Sequence, residues 1–150
     1  MTIAVTNPET LRDEIAAFLT VDLVGSGKPA QAVYNYEKAD FGGQSPVVLV
    51  TSNSEDFSRH SNTERTKGLY HYDVLIFALY ADEQSNYYEA DCEDRLNLVL
   101  KHTVDSILNN QFTASRSIFV DGKTTISPAN VGGSDYRMER LPLRVEVFNG

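Results

Sequence analysis

The segment from Leu69 to Ala81 constrains the fold of this chain more than any other. In an extended strand Tyr70, Tyr72, Val74, Ile76, Ala78 and Tyr80 share one face, and Leu69, His71, Asp73, Leu75, Phe77 and Leu79 share the other. Its middle is apolar on both faces, which predicts a central strand covered on both sides. The polar His71 and Asp73 let the far end emerge from the core.

The covering layer is legible in two helices. Asn7 suits an N-cap, Pro8 the first helical position and Glu9 the first turn. Leu11, Ile15, Phe18 and Leu19 then recur at helical spacing. Asp22 to Pro29 holds two glycines and a proline and reads as loop. For the second helix, Asn86 and Glu89 form a capping-box pair. Cys92, Leu96, Val99, Val104, Ile107 and Leu108 make its apolar stripe, and Asn109-Asn110 its end.

Further strands are expected at Ala32–Glu37 and Pro46–Thr51, pairing as a hairpin across a turn at Phe41–Pro46. Asn53 to Gly68 is polar and aperiodic and reads as a long loop with cancelling charges. Ser117–Val120 and Thr124–Ser127 flank Asp121-Gly122, a two-residue hairpin signal. Gly132-Gly133 reads as loop. From Tyr136 the chain alternates: Leu141, Leu143, Val145 and Val147 face a core, and Arg140, Pro142, Arg144 and Glu146 face away. Pro142 cannot donate to a ladder, which predicts an edge or a bulge there. The order α-β-β-β-α-β-β-β gives one α+β domain over residues 1–150, a mainly antiparallel sheet packed on two helices.

A chain of 150 residues can form a core unaided. One cysteine excludes an internal disulfide and suits a reducing compartment. The first residues lack a basic stretch before a long apolar one, so no secretory signal is expected, and no apolar run approaches the ~20 residues of a membrane helix. A net charge of -8 disfavours general binding to nucleic-acid phosphates. Six acids and no base lie between Asp82 and Asp94, as expected of a solvated helix start.

Few residue patterns in the chain point to chemistry. Gly25-Ser26-Gly27-Lys28 fails as a phosphate loop: Asp22 and Pro29 stand where the motif needs glycine and Ser or Thr. His60, His71 and His102 share no metal-ligand spacing with one another or with Cys92. Cys92 lies on an apolar stripe among acids, which raises a thiol pKa. Asp91, Glu93 and Asp94 lack the turning loop of a hard-cation site. No catalytic residue, cofactor site or metal site is therefore expected. The eight tyrosines suit half-buried strands or interface cores.

An architecture without an active site, with this order of elements, resembles the tail terminator proteins of long-tailed phages, the tail-completion family related to minor tail protein U. The opening helix Pro8 to Thr20 carries the resemblance. So does LYHYDVLIFALYAD, followed at once by DCEDRLNLVLKHTVDSILNN, and so does the closing GGSDYRMERLPLRVEVF. The resemblance implies a structural virion-assembly protein and not an enzyme. It implies a hexameric ring that caps the tail tube, stops its polymerisation and joins tail to head, at the head-proximal end of the tail after assembly in the host cytoplasm. The implied partners are further copies of the chain, the major tail tube protein and a head–tail connector or stopper. DNA would pass through the lumen without specific binding, and no membrane or cofactor is involved. The interface residues expected are Arg59, Arg65 and Lys67 of the polar stretch, and Tyr136, Arg137, Arg140 and Arg144 of the final strand. Another connector or a tube subunit shares these features. A reading of a different class is a small anionic-ligand-binding domain or enzyme using Tyr136, Arg137, Arg140 and Arg144.

Overall fold

A computed structural model describes residues 8–36, 38, 40–42, 44–59, 66–79, 89–113 and 116–148. The order of elements is the one expected: α1 (Pro8–Leu23), β1 (Ala32–Tyr34), β2 (Val47–Arg59), β3 (Thr66–Leu79), α2 (Glu89–Asn109), β4 (Arg116–Val120), β5 (Thr125–Val131) and β6 (Ser134–Phe148). The fold is α+β. One six-stranded sheet runs β1-β2-β3-β6-β4, with β5 also on β6. The expected caps Asn7 and Asn86 lie outside the described residues.

Both helices lie on one face of the sheet. α1 contributes Leu11, Ile15, Ala16, Leu19 and Leu23, and runs through Asp22, which the sequence assigns to loop. α2 contributes Cys92, Leu96, Val99 and Ile107. Its stripe continues through buried Thr103 and Ser106, while Leu108, expected in the core, points out. The two hydroxyls fit because each has an acceptor: Thr103 donates to the Val99 carbonyl at 2.7 Å and Ser106 to the Asp22 carboxylate. These helices cover Val48, Val50, Val74 and Ile76 of the central strands and the odd-numbered Leu141 to Val147 of β6. Among the described residues the opposite face carries a smaller core of Phe41, Val47, Leu49, Phe77 and Tyr136.

β3 is central, as its double apolar face requires: β2 flanks it on one side and β6 on the other. Four expectations are corrected. β1 and β2 pair in parallel, Ala32 opposite Val47, and not as a hairpin. The chain between them crosses the sheet's second face, burying Phe41, and so re-enters from the same end. Asn53–Gly68 is not a long loop. β2 extends to Arg59 and β3 begins at Thr66, with Arg59 opposite Thr66. Its polar sequence carries no apolar alternation, so the backbone pairing that extends the two strands leaves no periodic trace in it. The β2–β3 register shifts between Ser52 and Ser54, a bulge at Asn53.

Asp121-Gly122 does not join a hairpin. β4 and β5 lie end to end along the same edge of β6. Four residues, Asp121 to Thr124, stand opposite two, Leu141 and Pro142. Pro142 explains the break. Its carbonyl accepts from the Asp121 amide at 2.9 Å, so its missing N–H faces this same lane. The β3 ladder on the other side passes Asp73 opposite Pro142 without a register shift. Pro142 therefore sits on an interior strand, at an irregularity of its neighbour. The tight hairpin is β5–β6 instead, closed at Val131 and Ser134 by Gly132-Gly133 with φ +58° and +82°. Positive φ at both central residues is what such a turn demands.

Candidate interaction surface

Alternation along β6 decides where each expected residue goes. Even-numbered side chains point to the sheet face without helices, and odd-numbered ones toward the helices. Arg140 and Arg144 thus share the open face, Arg137 lies on the other, and Tyr136 enters the smaller core.

On the open face the charges interlock across strands. Arg140 Nε lies 2.9 Å from Asp73 Oδ1, and the Asn53 amide donates to Asp73 Oδ2 at 3.0 Å. Hydrogen bonding to Asp73 and its charge hold the Arg140 guanidinium still more firmly protonated. Arg144 lies 4.0 Å from Asp121 and 3.9 Å from Glu146, with its guanidinium 5.0 Å from the Phe119 ring centre. His71 Nδ1 is 3.8 Å from Asp121. Asn53, Asp73, Asp121, Lys123 and Arg140 line a shallow polar depression of about 270 Å³.

Arg137, on the helical face, meets Glu93 of α2 at 2.7 Å. Tyr136 is buried, with its ring 5.6 Å from Phe41 and 6.2 Å from Phe77, both edge-on. Its hydroxyl donates to the Gln44 carbonyl at 3.3 Å. Burial, and then Asp40, push its phenol pKa up. Arg59 ends β2, and Lys67 stands on β3 opposite Ser58 and Phe148. Arg65 lies outside the described residues. Tyr136, Arg137, Arg140 and Arg144 therefore do not converge on one point, and their cations face carboxylates of the same chain.

Cys92 is buried against β3, its thiol donating to the Ala78 carbonyl at 3.6 Å, and burial raises its pKa. Among the described residues no three His, Cys, Asp or Glu side chains are placed to hold a metal, and no helix is long and apolar enough to cross a membrane.

Two residues with strong environments carry no sequence signal. Arg116 is buried and links three elements. Its Nε and Nη2 donate to Glu14 of α1, and its Nη1 donates to the Asn110 and Gln111 carbonyls just beyond α2 at 2.6 and 3.2 Å. Glu139 is buried on the helical face of β6, where burial raises its pKa and a bond from Thr124 opposes the rise.

A comparison with family models finds no match. A comparison with curated protein sequences finds none either. Among solved structures, this chain is similar to one from the virion of a native gene transfer agent (GTA) particle. The TM-score is 0.50 and the identity 14%, and the superposition covers 94% of this chain and 92% of that one. At that identity the likeness concerns the fold.

Proposed function

We propose that this protein is a structural component of a phage-type virion, and within it the tail terminator. In this reading it forms a ring, hexameric as in the resembling family, on the last ring of the tail tube. There it ends polymerisation and offers the surface to which the filled head docks. The observation that carries the reading is the end-to-end fold likeness to a chain of a gene transfer agent virion, with over nine-tenths of both chains covered. The partners would be further copies, the tube protein and a head–tail connector, brought together by contact and without catalysis or a cofactor. The open sheet face, with its cross-strand charges fixed in place, suits such a role, because pre-ordered polar groups lose little entropy on docking. A net charge of -8 is compatible with a lumen that passes DNA without holding it.

The test is assembly in cells lacking the protein. A terminator's absence gives tails of uncontrolled length beside unattached filled heads. Normal-length tails beside leaking heads would assign it as a stopper instead. Complete loss of tails would assign it as a tube subunit, and particles unchanged in form would refute the virion reading.

A further inference from the structure

We infer that β5 is a pH-gated strand: it lies on β6 while the Glu139 carboxyl is protonated, and it lifts from β6 when that carboxyl is ionised.

Glu139 is 3% exposed and lies on the helical face of β6. Its neighbours there are apolar. Ile76 of β3 stands opposite it on one side and Ile126 of β5 on the other, and Leu141 follows it on the same face. Its Oε2 has no hydrogen-bond partner among the described residues. Thr124, the last residue before β5, donates to the carboxyl. One hydroxyl satisfies a small part of an ionised carboxylate, which offers about four acceptor sites. A carboxyl placed in this way is tolerated when neutral and costly when charged.

The charged groups nearby are engaged elsewhere. β3 brings Val74, Ile76 and Ala78 to this face, and β5 brings Ile126 and Pro128, none of them titratable. Arg137, two residues earlier on β6, is held by Glu93 of α2 at 2.7 Å. α2 also carries Cys92, whose buried thiol is shifted up, and Arg95, whose charge acts on that thiol. In the link before β5, Asp121 lies near His71 and Arg144 on the open face, and Lys123 lines the depression there. Burial therefore pushes the Glu139 pKa up, against the bond from Thr124.

Of the elements around this carboxyl, β5 is the one that can yield. β3 is central, and α2 is anchored by Cys92, Leu96, Val99 and Ile107. β5 pairs with β6 alone, and none of its seven residues is buried. Ile126, the side chain across from Glu139, is 52% exposed. The β5 ladder stops at the irregular link Asp121–Thr124 and at the Gly132-Gly133 turn, so β5 can lift while β4 keeps its own pairing. Lifting takes Ile126 and Thr124 away from the carboxyl and admits water from the sheet edge. It also uncovers the β6 edge from Ser134 to Arg140, a row of backbone groups open to another strand.

Proton linkage sets the direction. With β5 lifted, Glu139 is an ordinary carboxyl with a pKa of about 4.3, and with β5 docked its pKa is higher. The lifted form therefore binds fewer protons between those two values and is favoured as pH rises. The opening constant is flat below the ordinary value. It climbs by up to about tenfold per pH unit as far as the docked value, and levels off above it.

Hydrogen exchange of the full chain, read by mass spectrometry from about pH 4 to about pH 8 and corrected for the intrinsic pH dependence of amides, tests this. Protection of β5 peptides should fall with rising pH by at least about threefold and then level off, and should stay below that of β3 peptides throughout. Glu139→Gln, similar in size and unable to ionise, should hold β5 protection constant across the range, with circular dichroism checking its fold. Wild-type β5 protection that does not change with pH, or that equals β3 protection at every pH, would overturn the inference. So would a pH dependence of β5 that survives in Glu139→Gln. Should that variant not fold, the wild-type profile decides alone.

Discussion

Replacing Arg116 by Met tests how the helical layer is fastened to the sheet. The Arg116 side chain is 5% exposed, and its guanidinium makes charge-assisted bonds to Glu14 and to two carbonyls beyond the end of α2. Met roughly fills the volume but leaves the Asn110 and Gln111 carbonyls without that donor. Hydrogen bonds to charged groups contribute about 1.5–3 kcal/mol each where water cannot replace them. Glu14 is 41% exposed and recovers solvation, so its share is discounted to under about 1 kcal/mol. The carbonyl bonds dominate, and the expected loss is about 3 kcal/mol. At roughly 2–4 °C per kcal/mol for a domain of this size, the melting temperature falls by about 6–12 °C. Arg116→Lys should recover less than half, because a compact ammonium cannot span the carboxylate and both carbonyls. Glu14→Gln should lose under about 1 kcal/mol. Urea unfolding of the three variants decides. A loss below about 1 kcal/mol for Arg116→Met, or equal losses for Arg116→Met and Glu14→Gln, would refute the reasoning.

Glu139→Gln should stabilise the fold at neutral pH by on the order of 1 kcal/mol. Burial raises the folded-state pKa of Glu139, so ionisation opposes folding. The advantage of Gln is thus full above the folded-state pKa and fades as pH falls toward the unfolded carboxylate value of about 4.3; a constant advantage across that range would contradict the assignment. Gly132→Ala should cost about 1–3 kcal/mol, since its φ is +58° and an added Cβ would lie 2.5 Å from Asp40 Cγ. Gly133→Ala, with open space around its Cβ, should cost measurably less in thermal melts, and equal costs would remove the role given to Asp40. Cys92, buried and shifted up, should react with a thiol reagent only as fast as the protein opens; labelling of the native protein at the rate of a free thiol would contradict its placement.

What the sequence made legible follows from which forces leave a local trace. The two apolar faces of β3 and the helical stripe of α1 are burial patterns, and burial has a period. The segment from Ser54 to Arg59 pairs with β3 through its backbone, and its sequence carries no apolar period, so it reads as loop. The parallel β1–β2 pair depends on a crossing that only the buried Phe41 marks. Two glycine turns compete for one hairpin, and the choice falls to Gly132-Gly133 because Pro142 breaks the lane opposite Asp121. Pro142 signalled an irregularity correctly, but the irregularity lies in its neighbour. The arginines of β6 were visible by alternation. Their partners Glu93, Asp73 and Asp121 were not, since cross-strand register is a tertiary fact. Arg116 sits in a short polar stretch where no periodicity marks a buried cation.

Whether this chain ends a tail tube, as proposed, turns on where it binds the tube. Electron microscopy of the purified protein mixed with tail tubes of its own particle tests that most directly. A terminator gives a cap of density at one end of each tube, with tubes that no longer lengthen when tube protein is added. Tubes assembled from this protein alone, decoration along the shaft, or free tube ends that keep growing would contradict it.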